Sequence, residues 1–109
     1  MKGGENMKAL KIETDGSREL VDITGATVEE QNDCIYDILG NFFDTVMLAH
    51  NAMMLVDDEG LLKGLPINLA AMMISGYPMI VGTALIVGLE DTPDGKTFTD
   101  VPERFRKLA

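Results

Sequence analysis

The feature that most constrains this chain is a long segment without charge. No residue between Gly64 and Leu89 is charged, although 25% of all residues in the chain are. Such a segment must be buried in a folded core or placed in a membrane. A membrane-spanning helix needs about 20 consecutive apolar residues, and here prolines, glycines and polar residues interrupt the run repeatedly. We therefore expect the segment to form the core of a domain and to have no contact with a membrane.

Length and composition predict one globular domain. A chain of 109 residues, of which 46% are hydrophobic, can bury a single core without disulfides. We expect residues 1–6 to be a flexible leader and residues 7–109 to form one α+β domain with a largely antiparallel sheet. Cys34 is the only cysteine, and the N-terminus lacks the apolar stretch of a signal peptide. Both features indicate a cytoplasmic protein.

Two β-hairpins are predicted in the first half of the chain. Residues 9–12 and 19–23 have the apolar pattern of strands on either side of the turn residues 15–17. Residues 42–49 and 52–56 form a second pair of predicted strands, joined by a two-residue turn. The two hairpins supply strands for the expected antiparallel sheet.

One amphipathic helix is predicted between the hairpins. Thr27 and Glu30 have the spacing of a capping box, and Gly40 stands where a C-cap glycine belongs. The helix should therefore run from Val28 to Leu39, with both of these residues on its apolar stripe. Its acidic outer face consists of Glu29, Glu30, Asp33 and Asp37.

The residues after the second hairpin predict a tight acidic turn and a short helix. The turn is Asp57-Asp58-Glu59-Gly60, in which Gly60 is free to adopt a positive φ, and residues 61–62 should then pair with residues 54–56. Asn68 is expected to cap a short buried helix that ends at Gly76.

The last third of the chain predicts apolar strands and a basic helix. Residues 79–81 and 84–87 are compatible with a hairpin at Gly82 or with one strand bent there. A turn at residues 92–95 precedes a short C-terminal helix over residues 102–108. The basic residues of this helix are Arg104, Arg106 and Lys107.

The charge distribution excludes direct binding of nucleic acid. The chain has 18 acidic and 9 basic residues, and no Lys or Arg occurs from Glu19 to Leu62. Proteins that bind nucleic-acid backbones need positive charge to neutralise phosphates. Two explanations remain for the acidic residues: solubility, or the binding of a basic protein, including a DNA-binding protein whose groove this chain would occupy in place of DNA. The second explanation places the contact on Glu29, Glu30, Asp33 and Asp37.

No spacing in the sequence predicts a catalytic or metal site. Asp57, Asp58 and Glu59 are adjacent, whereas calcium loops need alternating oxygen ligands, so we expect solvated turn residues. His50 is the only histidine, and no nucleophile or orienting acid is paired with it by spacing. The glycines form no phosphate-binding motif. We therefore predict a protein that is not an enzyme and has neither metal nor cofactor.

The methionines allow two interpretations. Most of the eight methionines lie between Met47 and Met79. The simpler interpretation is that their flexible side chains fill the core. The alternative is an adaptable surface that packs against a partner.

Two stretches of the chain resemble a known family. They are MLVDDEGLLKGLPIN at residues 54–68 and MIVGTALIVG at residues 79–88. They resemble the family known as domain of unknown function 3846, whose pattern is an apolar strand, an acidic turn ending in Gly, a Leu-Pro-x-Asn step and a late Ile-Val-Gly strand. The resemblance implies a protein from bacteria, their phages or conjugative elements. It implies no catalytic residues, since the family has no established activity.

Two functional hypotheses follow. The first is a small cytoplasmic, non-catalytic accessory protein of a mobile element or phage that binds a protein partner or self-associates, with an antirestriction-like, DNA-mimicking inhibitor as its specific form. The alternative is a sponge-like module for a small molecule or nucleotide, with a pocket formed by His50, Asn68, Arg104 and Arg106. An enzyme would require His50 in a cleft beside a carboxylate.

Overall fold

The described residues form one sheet and three helices. The computed structural model describes residues 6–109, so the predicted leader lies outside the described residues except for Asn6. The elements are β1 (Met7–Ile12), β2 (Arg18–Ile23), α1 (Val28–Leu39), β3 (Phe43–Ala49), β4 (Ala52–Asp57), α2 (Leu69–Ser75), β5 (Ala84–Thr92), β6 (Gly95–Thr99) and α3 (Glu103–Arg106). The predicted α+β class is confirmed. No described helix is both long enough and apolar enough to cross a membrane.

All strand pairs in the sheet are antiparallel. The strand order is β2-β1-β5-β4-β3, and β6 pairs with the C-terminal half of β5. Ile86 of β5 lies opposite Leu10 of β1 on one side and Met54 of β4 on the other. The uncharged segment thus supplies the central strand of the sheet, as its composition predicts.

The sheet separates two apolar cores. On one face, Ile35 and Leu39 of α1 belong to the same cluster as Leu85. On the other face, Ala71 of α2 belongs to the same cluster as Ile86, and α3 packs against that cluster. Because side chains alternate along a strand, the consecutive residues Leu85 and Ile86 belong to different cores.

Helix α1 has the predicted bounds. The Glu30 N–H donates to Thr27 Oγ1 at 3.1 Å, and Gly40 ends the helix with a φ of 88°. The Glu30 carboxylate accepts from the Ala26 N–H at 2.6 Å, one residue before the position that a capping box predicts. The placement of Val28 on the apolar stripe is wrong, because 63% of this residue is exposed.

The acidic turn differs from its prediction. Residues 58–64 form successive turns, and residues 61–62 do not pair with β4, whose neighbours are β3 and β5. Gly60 does not have a positive φ. A Cβ at Gly60 would lie 2.7 Å from Val81 Cγ2, so the glycine instead allows the turn to pack closely on Val81.

The structure shows neither of the two arrangements predicted at Gly82. Val81 forms an isolated antiparallel bridge with Ile67, and Gly82 then has a φ of 76° before β5 begins at Ala84. Residues 79–81 therefore neither form a hairpin with β5 nor continue it. Strand β5 runs on to Thr92 and returns through the predicted turn as β6.

The structure differs from the sequence prediction at three further elements, which are α2, α3 and β6. In α2 only Ala71 is buried, whereas Leu69 and Met73 are 61% and 76% exposed, so this helix is not buried as predicted. Helix α3 is shorter than residues 102–108, although Phe105 packs against the core. Strand β6 was not predicted, because its polar, partly exposed residues lack an apolar pattern.

Candidate functional site

The C-terminal end of α1 and the acidic turn meet in a polar junction. Asn41 Nδ2 donates to Glu59 Oε1 at 3.0 Å and to Asp58 Oδ1 at 3.3 Å. Lys63 Nζ lies 2.6 Å from Asp57 Oδ2. These contacts hold together two segments that are separated in the chain by the whole β3–β4 hairpin.

Asp57 is the buried anion of this junction. Its side chain is only 2% exposed, and it accepts hydrogen bonds from Lys63 at 2.6 Å and from the Glu59 N–H at 2.8 Å. Burial alone would raise the pKa of Asp57, but the hydrogen bonds from Lys63, the Glu59 N–H and Asn41 outweigh burial and hold this pKa below its ordinary value. The charge of Asp57 is therefore compensated inside the fold.

Lys63 also compensates the end of α1. The last turn of α1 contains no basic residue, and the negative end of a helix dipole favours a nearby cation. Lys63 Nζ supplies this charge at 3.3 Å from the Gly40 carbonyl oxygen. Since Lys63 is engaged by Gly40 and Asp57, it does not neutralise the exposed carboxylates of Asp58 and Glu59.

The four acidic residues predicted to bind a partner lie on one side of α1. At about 100° per residue, Glu29, Glu30, Asp33 and Asp37 fall within an arc of about 100° and along about 12 Å of helix axis. All four are exposed. No ion pair joins them to another residue in the part of the chain that the structure describes.

The four residues Glu29, Glu30, Asp33 and Asp37, called the acidic row below, do not reproduce the charge pattern of duplex DNA. A duplex has one phosphate per about 1.7 Å of axis, so about seven phosphates occupy the length over which α1 presents its row. The segment from Glu19 to Leu62, which contains no Lys or Arg, also has carboxylates on β2. These lie near lysines: Asp22 is 2.6 Å from Lys8, and Glu19 is 3.5 Å from Lys11. Asp57 is buried as well. The acidic residues between Glu19 and Leu62 are therefore partly exposed on α1, partly located on β2 and paired with lysines, and partly buried.

Asn68, predicted as a ligand-binding residue, is entirely used by the fold. Its side chain is completely buried. Its Nδ2 donates to the carbonyls of Ile12 at 3.0 Å and Gly82 at 2.8 Å, and its Oδ1 accepts from the Ala71 N–H at 3.0 Å. The predicted N-cap is confirmed, but no polar group of this side chain faces a pocket.

The other residues of the predicted pocket lie elsewhere. His50 is exposed at the tip of the β3–β4 hairpin, which lies beside Gly88 and Leu89 of β5, several residues along the strand from Gly82. Arg104 Nη2 donates to Asn51 Oδ1 at 3.3 Å, next to His50, and Arg106 follows on the same short helix. The hairpin tip and Asn68 are thus separated by most of the length of β5, or about 20 Å. The four predicted residues do not line one pocket.

His50 has a carboxylate nearby but is not in a cleft. The hydrogen bond from Lys96, at 2.7 Å, is the main reason that the pKa of Asp91 lies below its ordinary value, and the charge of His50 contributes less. The Asp91 side chain is 85% exposed. The arrangement required for catalysis by His50 is therefore not formed. Among residues 6–109, no group of three or more His, Cys, Asp or Glu side chains is placed to hold a metal ion.

An exposed apolar segment adjoins the junction and was not predicted. From residue 61 in the acidic turn to residue 79 before β5, several large apolar residues are 46% to 88% exposed. They are Leu61, Leu62, Ile67, Leu69, Met73, Tyr77 and Met79. The methionines divide accordingly, since Met54 is completely buried while Met73 and Met79 are 76% and 50% exposed. Clustered exposed apolar side chains are typical of interaction surfaces.

The residues that carry the family pattern have structural contacts. Gly60 lies against Val81, the Pro66 carbonyl accepts from the Gly82 N–H at 2.8 Å, and Asn68 caps α2. No protein of curated function and no solved structure matches the chain. The sequence profile of one family matches residues 7–109. The chain therefore belongs to the family described as Domain of unknown function (DUF3846).

Proposed function

We propose that this protein is a small, non-catalytic accessory protein that binds a basic protein partner through an acidic surface. This surface consists of Glu29, Glu30, Asp33 and Asp37 on α1, together with Asp58 and Glu59 in the acidic turn. The observation that carries the proposal is the junction through Asn41, which holds the exposed carboxylates of the turn next to the C-terminal end of α1.

The energetics of α1 support a role in binding. Asp33 lies four residues from both Glu29 and Asp37, and each like-charge pair at this spacing costs about 0.2–0.5 kcal/mol. Asp37 also lies near the negative end of the helix dipole, where an anion is unfavourable by about 0.3–1 kcal/mol. Helix stability therefore accounts for Glu29 and Glu30 at the N-terminal end of α1 but not for Asp33 and Asp37, for which attraction to a cationic partner is the reason that we propose.

The proposed setting is the bacterial cytoplasm, with the protein encoded by a phage or other mobile element. The support for this setting is the family resemblance at residues 54–68 and the lone Cys34, which fits a reducing compartment. The DNA-mimicking form of the hypothesis is not retained, because the charge density on α1 is too low and the remaining carboxylates are partly paired.

The proposal is tested by capturing partners in the bacterial host with charge variants. The test variant combines Glu29→Gln, Asp33→Asn and Asp37→Asn and leaves Glu30, which caps the Ala26 N–H, in place. The control has the same change in net charge at exposed positions outside the acidic surface. Its substitutions are Glu90→Gln, Asp94→Asn and Glu103→Gln.

The wild type and the control should retain a basic protein that elutes as salt is raised, and the α1 variant should retain about tenfold less. Equal retention by the α1 variant and the control would contradict the proposal. Retention of only acidic proteins would contradict it as well.

A further inference from the structure

A groove lies beside the acidic turn and does not include the row on α1. Its volume is about 380 Å³. The buried residues Ile80 and Val81 form its floor, and Leu61, Leu62 and Met79 form an apolar rim. The rim residues are 70%, 88% and 50% exposed, so apolar surface is presented to solvent around a buried apolar floor.

The same groove is bordered by negative charge. Asp44, Asp58 and Glu59 line it, and all three are exposed. No basic residue is among the described residues that line it. Lys63, the nearest cation along the chain, is directed to Asp57 at 2.6 Å. Asp57 also lines the groove and is compensated by Lys63, whereas no ion pair joins Asp44, Asp58 or Glu59 to a described residue.

The rim is held in place by close packing. Gly60 lies against Val81, where a Cβ would approach to 2.7 Å, and Leu65 Cδ1 lies 2.7 Å from the position of a Cβ on Gly82. Asp57 and Lys63 fix the two ends of the turn that carries Leu61 and Leu62. The exposed leucines are thus presented by a packed turn, and burying one against a partner would remove its apolar surface from water and stabilise a complex.

We infer that this groove binds a basic amphipathic segment of a protein. The apolar side chains of the bound segment insert between Leu61, Leu62 and Met79. Its Lys or Arg side chains form ion pairs with Asp44, Asp58 and Glu59. Recognition of this kind uses a few apolar anchors with flanking charges. The inference rests on the proposed function for the claim that the partner is a basic protein, and it adds the docking site and the chemistry of the docked segment.

Charge favours this occupant over two others. A second copy of the chain would bring a further net charge of −9 to a groove that is already negative. An anionic membrane surface would be repelled for the same reason. A basic amphipathic segment is attracted by the carboxylates and also covers the apolar rim.

The experiment measures the binding of synthetic helical peptides by fluorescence anisotropy. The probe is a labelled amphipathic peptide of Leu and Lys, and its controls are a scrambled peptide of the same composition and an analogue with Glu in place of Lys. The groove variants are Leu62→Ser, which changes a side chain that is already 88% exposed, and the pair Asp58→Asn and Glu59→Gln. The matched control is Val28→Ser, at a residue that is 63% exposed on α1.

We expect Leu62→Ser to raise the Kd of the amphipathic peptide about tenfold. The Asp58→Asn and Glu59→Gln pair should raise it as well and should also reduce its salt dependence. Val28→Ser should bind like the wild type, and the scrambled and acidic peptides should bind at least tenfold more weakly than the probe.

Three results would overturn the inference. The first is that Leu62→Ser leaves the Kd of the amphipathic peptide unchanged, while the triple α1 variant (Glu29→Gln, Asp33→Asn and Asp37→Asn) alone raises it. This result would contradict the groove as the docking site but not the proposed function. The second is equal binding of the amphipathic and scrambled peptides. The proposed function would then still be tested separately, by the capture of a basic protein in the host. The third is a dimer of the free chain in native mass spectrometry that Leu62→Ser dissociates, which would assign the groove to a second copy.

Discussion

At the scale of single residues, Asn68 shows how a polar residue in a family pattern can be structural. Its side chain satisfies two carbonyls and one N–H in a completely buried position. Replacing it removes the cap of α2 and leaves two buried acceptors without donors. Unsatisfied groups of this kind are more costly than the average net value of a hydrogen bond.

Asn68→Ala should therefore destabilise the protein by about 2–5 kcal/mol, from the lost cap and the unsatisfied carbonyls. Urea unfolding followed by circular dichroism measures the change. Asn32→Ala is the control, because Asn32 lies on α1 without a side-chain hydrogen bond to a described residue, and alanine favours a helix. A loss of less than about 1 kcal/mol at Asn68 would show that these hydrogen bonds contribute little.

Asp57 gives a prediction for pH dependence. Its pKa is lowered in the folded protein, so its contribution to stability is present above the ordinary pKa of 3.8 and is lost as the pH falls through the lower folded value. Asp57→Asn should reduce stability at neutral pH by about 1–3 kcal/mol, the value of hydrogen bonds to a charged group. It should also make the loss of stability below about pH 4 shallower than in the wild type.

Urea unfolding at several pH values between neutral and acid measures both effects for Asp57→Asn. Asp94→Asn is the control, since Asp94 is exposed and no ion pair joins it to a described residue. Parallel stability curves for the wild type and Asp57→Asn over the acid range would contradict the role given to Asp57.

At the scale of elements, local signals predicted the bounds of α1 correctly and the acidic turn poorly. The bounds of α1 depend on Thr27, Glu30 and Gly40, which are close in the sequence to the helix that they cap. The acidic turn depends on contacts from Lys63, at the other end of the turn, and from Asn41, which only the pairing of β3 with β4 brings to Asp57. Leu61 and Leu62 have the apolar character of a strand, but tertiary packing at Gly60 turns them to solvent.

The charge row on α1 gives a prediction at the element scale. Asp37→Asn should stabilise the protein by a few tenths to about 1 kcal/mol, because it removes a like-charge pair with Asp33 and an anion near the C-terminal end of the helix. The gain should shrink as salt is added. Glu29→Gln is the comparison, since Glu29 lies in the first turn, where the dipole favours an anion, and its loss should give no comparable gain.

Thermal unfolding at low and high salt measures these changes. Destabilisation by Asp37→Asn would show that its carboxylate has a favourable contact within the fold. In that case the row would be explained by stability, and the argument for a binding role of α1 would fail.

At the scale of the whole molecule, the sequence predicted the class of the fold and the placement of its uncharged segment, but not the surface that this segment exposes. Composition predicts that residues 64–89 belong to a core, and the structure confirms this for residues 80–89, which include most of β5, but not for residues 64–79, most of which are exposed. Composition does not show that α2 leaves Leu69 and Met73 in solvent or that Ile67 pairs with Val81 at the surface. These outcomes depend on which face of a short element meets the sheet.

The predicted ligand pocket failed for a related reason. His50 and Asn68 lie at opposite ends of long antiparallel strands, and their separation depends on the pairing of β4 with β5. The sequence gives no distance between such residues until that pairing is known. The acidic residues of α1 were identified correctly as exposed because helical periodicity alone decides their direction.

The net charge of −9 predicts fast, salt-sensitive association with a basic partner. Raising ionic strength should lower the association rate much more than it raises the dissociation rate, since screening acts mainly on the approach of the two molecules. Stopped-flow or surface-based kinetics with the captured partner measures both rates. An association rate that does not change with salt would show that the acidic surface does not steer binding.

Hydrogen exchange with and without the captured basic partner is the most direct test of binding through α1 and the acidic turn. The proposed binding surface predicts slower exchange in the complex at residues 29–37 and at residues 57–62. Slower exchange confined to the β3–β4 hairpin tip at His50 and Asn51, with α1 and the acidic turn unchanged, would contradict it.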